Sequence, residues 1–340
     1  MNKRSDDFQR LGDIPALKQL QARVEKALRP PTRAQMDLVN ASIAISEKPD
    51  AAELAFMARQ LVLCTLPHSD PGNVEAWTRR TGNGSLIIQR GWDDQKEKPI
   101  GYPFGSIPRL LLFWITTEVQ HTKNRDDMTV DQKRTLFLGR SLNEFMRAVG
   151  LNPTTGGGKR GDSKRLHEQM NRLFASHISF RETLEQDGLH GRRWLDMKVA
   201  PKGEFWWDPK TPEQGSLFNS WIKLGEDFYE ALIYLPVPVD MRALRALKRS
   251  PLALDLYAWA CFMSFVIIRK SLPPQSCSWT QLSRQLGGDY GDIDNFKKKA
   301  IKALKKVKIV YPGLAITYGQ KGGFKIHASR LAISQKGGKP

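Results

Sequence analysis

The sequence predicts an α+β chain, mostly helical, built as two tandem winged-helix domains with small β-hairpin wings. Three observations carry this expectation. One order of segments occurs twice along the chain: an apolar helix, a short capped helix, a turn, a basic amphipathic helix and alternating strands. The charge is strongly positive, with 53 Lys+Arg against 35 Asp+Glu and a formal net charge of +18. The apolar runs also suit buried cores: the longest, 256–268, is broken only by Ser264 and falls short of the ~20 residues that cross a bilayer.

A chain of 340 residues has room for two ordinary domains. Composition sets an N-terminal arm at 1–64, a first winged domain at 65–236, a second at 237–332 and a flexible tail at 333–340. The arm is charged and punctuated by Pro30-Pro31, and Leu17, Leu20, Val24 and Leu28 repeat there at helical spacing. That helix either packs on its own domain or receives a partner. No apolar stretch follows the opening MNKRSDDFQR, so no signal peptide is expected. Cys64, Cys261 and Cys277 have no paired spacing, which points to a reducing, cytoplasmic setting.

Residues 66–71, LPHSDP, place His68 near Asp70, but the flanking prolines make this a turn. Residues 77–90, WTRRTGNGSLIIQR, read as a hairpin whose Gly82-Asn83-Gly84 supplies the positive-φ positions. In SIPRLLLFWITTE (106–118), Ser106 is placed to cap a helix and Pro108 suits its first turn. Leu111, Trp114, Ile115 and Val119 then share one face, which founds the first core. The rival reading of Leu110 to Ile115 is an exposed surface for a partner.

A short helix follows with Leu142, Phe145 and Val149 at i, i+3 and i+7, then the turn TTGGGKRG (154–161) and the helix DSKRLHEQMNRLFA (162–175). The second half repeats this series. Ser250-Pro251 open the apolar helix, and Trp279, Leu282 and Leu286 mark the short one. The turn DYG (289–291) leads into DIDNFKKKAIKALKKV (292–307). Strand-like pairs close each half, HISFRETLE with RRWLDMKV, and LAITY-GQKGG-FKIHA. This is the winged-helix plan, a helix-turn-helix variant that reads a major groove.

Candidate DNA contacts follow from the outward faces. In the first basic helix Leu166, Met170, Leu173 and His177 form the inner face, and Lys164, Arg165, Glu168, Asn171 and Arg172 the outer one. Arg and Asn suit guanine and adenine edges, and Lys suits phosphate. Lys159 and Arg160, in the glycine-rich turn, are placed to hold a phosphate at the helix start. In the second basic helix Phe296, Ala300, Leu304 and Val307 point inward, and Asn295, Lys298, Lys302 and Lys305 outward. Seven lysines lie from Lys297 to Lys308 with no acid among them, a surface that repels itself unless an anion neutralises it. Lys321 and Lys325 flank the wing turn. The bland alternative for both helices is a solvated basic face.

Catalytic patterns are weak. GGGKRGDS is not a phosphate-binding loop of the G-x-x-x-x-G-K-[ST] type, and the six histidines form neither an H-x-H nor an H-E-x-x-H pair. No enzyme, cofactor, metal or membrane role is expected.

The series LPHSDP, WTRRTGNGSLIIQRG, IGYPFGSIPRLLLFWITTE, GRSLNEFMRAVGL and RLHEQMNRLFA resembles the plasmid-encoded RepA family of replication initiators, over roughly residues 65–185. The 188–236 segment and the second half resemble it less distinctly. RDDMTVDQKR (125–134) is an insertion against the tighter spacing of the family. The resemblance implies that both winged domains bind double-stranded DNA at repeated sites (iterons) in a plasmid origin. It further implies duplex opening, recruitment of host initiator and replicative helicase, and repression of the protein's own promoter as a homodimer, which also serves copy control. The rival functions are a transcriptional repressor without initiator activity and a DNA-nicking relaxase or nuclease.

Overall fold

A computed structural model of the protein describes residues 31–49, 53–82, 84–153, 162–186, 189–206, 220–286, 290–319 and 323–333. The chain divides into two compact units that are not consecutive in sequence. One is Phe56–Pro236 with Arg284–Asp289; the other is Met1–Ala55 with Val237–Ser283 and Tyr290–Pro340. The boundaries expected at 64/65 and 236/237 run linearly, whereas these units interleave. Each unit carries the order apolar helix, basic helix, hairpin, so the architecture is α+β with two tandem winged-helix arrangements.

The Phe56–Pro236 unit is built on the helix Ser106–Thr122, in which every residue from Leu110 to Ile115 is buried. The run is therefore core, not a partner surface. Trp114 meets Phe145 edge-on with ring centroids 4.9 Å apart. The start of the helix differs from expectation. Gly105, at φ 80°, takes the cap position and Ser106 lies inside the first turn. Arg109 fixes this start. It is 2% exposed and donates to the Leu66 carbonyl at 2.6 Å, Pro67 at 3.0 Å and Gly105 at 2.7 Å. The LPHSDP turn is thus a strap whose carbonyls are held by a buried guanidinium.

The short helix Leu142–Ala148 is capped by Ser141, whose hydroxyl accepts the Glu144 N–H at 3.2 Å. The basic helix Asp162–Phe174 buries Leu166, Gln169, Met170, Leu173 and Phe174. His177, expected on that inner face, instead opens the strand His177–Gln186, because the helix has ended at Phe174. That strand pairs antiparallel with Leu189–Lys198 to form the wing. The hairpin Trp77–Thr81/Gly84–Gln89 adds to the wing's edge through Gly84–Gln89, giving a four-stranded sheet. Its inner face buries Leu86, Ile88, Ile178 and Met197. Within the 125–134 insertion, helix Val130–Lys133 is closed by a Thr129/Gln132 capping box. Asp131 there bonds Lys223 at 2.7 Å on the strand Trp221–Lys223.

In the other unit the core helix is Pro251–Arg269, with proline in its first turn. It is long and apolar enough to cross a membrane, yet 67% of its apolar window is buried inside the protein, as a core helix requires. Ser278 and Gln281 form a capping box at the short helix Trp279–Leu286, with bonds of 3.1 and 2.9 Å. The basic helix Ile293–Val310 starts at Asp292, whose carboxylate accepts the Asn295 N–H at 2.6 Å. The wing strands Ile316–Gly319 and Gly323–Ile326 pair, and Gln275–Cys277 adds a third strand. Phe324 packs against Trp259 at 5.2 Å and Trp279 at 5.6 Å. Gly323 is obligatory: its φ is 95°, and a Cβ would run into the Cys277 carbonyl.

The described part of the N-terminal arm up to Ala55 belongs to this unit, and its last residues, from Phe56, belong to the other. Helix Arg33–Glu47 buries Leu38, Val39 and Ser42 and packs on Met241–Leu247. Arg242 donates to the Ala44 and Lys48 carbonyls, both at 3.0 Å, while gripping the buried Asp240 at 2.7 Å. The 17–28 helix expected from the sequence lies outside the described residues.

Candidate nucleic-acid interface

A helix can read DNA only with side chains that its own core leaves free. In the Ile293–Val310 helix the inner stripe is Phe296, Ala300, Ala303, Leu304, Val307 and Val310, all buried. Asn295, Lys298, Lys302 and Lys305 are all exposed. No ion pair is recorded for these lysines among the described residues. Lys306, partly buried, is held below the ordinary lysine range by desolvation first and the Lys302 charge second. Lys302 and Lys306 thus repel one another across one helical turn, and an anion beside them relieves that repulsion. Lys325 is exposed between the buried Phe324 and Ile326 of its wing strand. Lys321 lies outside the described residues.

The first basic helix divides differently from the helical wheel. Lys164 and Arg165 are exposed, and Arg165 lies 3.5 Å from Asp162, a long and weak contact. Glu168 is exposed but paired with Arg172 at 2.6 Å. Arg172 is turned inward, its side chain only 13% exposed. It holds Asp70 at 2.9 Å and the Tyr102 carbonyl at 3.1 Å, and its guanidinium stacks 5.1 Å from the Phe104 ring. Its length lets it fold back onto the strap, so it serves the fold in place of a groove. Asn171 is half-buried beside Ile100, Phe174 and Ala175. Lys159 and Arg160 lie outside the described residues.

Sequence reasoning passed over the wing of this unit. Its strands carry Arg181, Arg192 and Arg193, and the adjoining hairpin adds Arg79 and Arg80. The signal was present as period-two alternation in WTRRT and RRWLDMK, which sets alternate residues on the solvent face. Nucleophile chemistry finds little support in the cysteines, since burial pushes the Cys64 and Cys277 thiols up to about 11.

A family model described as plasmid encoded RepA protein matches residues 102–281, more than half of the chain. Similar solved structures include two of RctB. Domains 2 and 3 of RctB as selenomethionine derivatives align at TM-score 0.46 and 11% identity, covering 79% of this chain and 95% of that one. The RctB segment 155–483 aligns at TM-score 0.41 and 12% identity, covering 76% and 92%. No curated protein matches the sequence.

Proposed function

Because the chain belongs to the plasmid-encoded RepA protein family, we propose that it is a non-enzymatic replication initiator that binds repeated sites in a plasmid origin. Each winged unit presents one basic helix to a major groove, and two in tandem suit a long site on one face of the duplex. The observation that supports this most is the lysine face of helix Ile293–Val310, exposed and without acid from Lys297 to Lys308. Lysines there favour phosphate, so base discrimination falls to Arg165 in the other unit, where Lys164 adds a phosphate contact. Bound to the origin, the protein helps open the duplex and recruits host initiator and replicative helicase. The same DNA affinity represses its own promoter when the protein is dimeric.

A footprint on the plasmid's own origin tests the reading: protection of spaced repeats supports it, and uniform protection of any DNA overturns it. Replacing Lys298 and Lys302 together by Ala should weaken binding almost equally on all sequences. If both contact phosphate, the salt slope falls by ~2. An unchanged slope removes the phosphate role. Maintenance of an origin plasmid in a host lacking the protein separates an initiator from a plain repressor.

A further inference from the structure

The four-stranded sheet of the Phe56–Pro236 unit has a second face that packing leaves open. Cross-strand partners share a face, and one row across the sheet reads Arg80, Ser85, Arg181, Trp194. The neighbouring row adds Arg192 opposite Thr183. The opposite face is the buried one, with Leu86, Ile88 and Ile178 all at 0% exposure. Trp194 is 64% exposed, although tryptophan is ordinarily mostly buried. Around it the surface is hollowed to about 820 Å³; Arg80, Arg181 and Arg192 line it from this face, where Asp196 is the acid beside Arg181, and Arg193 and Glu182, at the alternate strand positions, reach its rim.

Two of these arginines are already engaged. Arg181 is held by Asp196 at 2.9 and 3.1 Å, and Arg193 reaches Glu182 at 3.3 Å. Arg80 and Arg192 have no acidic partner among the described residues. Such a face is unfavourable on its own: two cations, Arg80 and Arg192, stand beside an exposed indole with no acid to neutralise them.

We propose that this face binds single-stranded DNA, with Trp194 stacking on an unpaired base and Arg80 and Arg192 holding the adjoining phosphates. Strands lie ~4.8 Å apart, so Arg80 and Trp194, three strands from one another, are separated by ~14 Å, a reach of about two nucleotides. A duplex does not satisfy the arrangement. Its base faces are stacked inside, and an indole standing on a sheet meets only sugar and phosphate. The choice of DNA over RNA rests on the origin-binding reading, where opening the duplex exposes such a strand.

The test uses the full chain and a fluorescein-labelled dT12 strand, with rU12 and a duplex origin repeat as separate probes, read by anisotropy. Trp194→Ala should weaken dT12 binding ~5- to 150-fold and leave the duplex repeat unchanged; Trp194→Phe, which keeps an aromatic face, should retain most of the affinity. Arg80→Ala with Arg192→Ala should lower the salt slope on dT12 by about 1.4, at ~0.7 per phosphate contact on a single strand. Unchanged dT12 binding in Trp194→Ala, an equal loss on duplex, or tighter binding of rU12 than dT12 overturns the proposal. Failure of the origin-binding reading is seen separately, as loss of repeat protection by the wild-type protein.

Discussion

Replacing Arg109 by Met keeps the length and apolar stem of the side chain and removes only its donors. Two of the carbonyls it serves, those of Leu66 and Pro67, sit in buried bonds of 2.6 and 3.0 Å, while the Gly105 bond at 2.7 Å is partly buried. A buried acceptor left unpaired costs ~1–3 kcal/mol, so the two deep carbonyls together cost ~2–6 kcal/mol, and water takes over much of the third. Against this stands the desolvation of a guanidinium that is 2% exposed, which the substitution relieves. The relief takes part of that cost back, so the net expectation is a loss of ~1–4 kcal/mol. For a unit of this size that lowers its melting temperature by roughly 2–4 °C per kcal/mol, or ~2–16 °C in all. Scanning calorimetry reads the shift directly, and proteolysis should cut first within 64–72 as the strap loosens. A melting profile within ~1 °C of wild type refutes the idea that Arg109 fastens the strap to the helix start.

Three further outcomes follow from the same geometry. Trp114→Ala, at a site 6% exposed and in edge contact with Phe145, should cost ~3–5 kcal/mol and lose DNA binding through unfolding of its unit; a wild-type melt with lost self-association overturns the core assignment. Arg165→Ala should cost ~1–3 kcal/mol on a specific repeat and much less on random DNA, and equal losses by titration on both refute base reading there. Burial holds His167 below its ordinary value of 6.5, and burial followed by the Lys198 charge does the same to His177. The unfolded chain then takes up these protons first, so stability is full above pH ~6.5 and declines as pH falls below it. Urea midpoints from pH 7.5 to 5.5 measure the decline, which His167→Gln should flatten; an undiminished slope removes His167 from it.

What the sequence made legible was local. Ser141 and Ser278 were readable as caps because the hydroxyl and the N–H that it accepts are three residues apart. The inner stripes of the basic helices were readable because 3.6-residue periodicity fixes which residues share a face. Ser106 misled because Gly105, one residue earlier, reaches a φ of 80° that no side-chain rule foresees at a helix start. Arg109 went unread because a cation beside an apolar run looks like its solvated flank. Arg172 sits on the outer arc of a helical wheel, yet its guanidinium closes on Asp70, 102 residues away. Sheet partnership is equally remote: the pairing of Ile88 with Ile178 joins segments about 90 positions apart, and alternation reveals only that one face is covered, not by what.

The interleaving of the units has a consequence for how the chain is made. The bond from Arg242 to Ala44 spans 198 positions. At ~5–20 residues per second, a ribosome that has delivered Ala44 needs ~10–40 s more to deliver its partner. Throughout that interval helix Arg33–Glu47 has no seat for Leu38 and Val39, while the Phe56–Pro236 portion can already close behind it. Helix Arg33–Glu47 is thus among the last elements to settle, and an expressed fragment cut at 64/65 deprives the C-terminal half of a helix that it uses as its own.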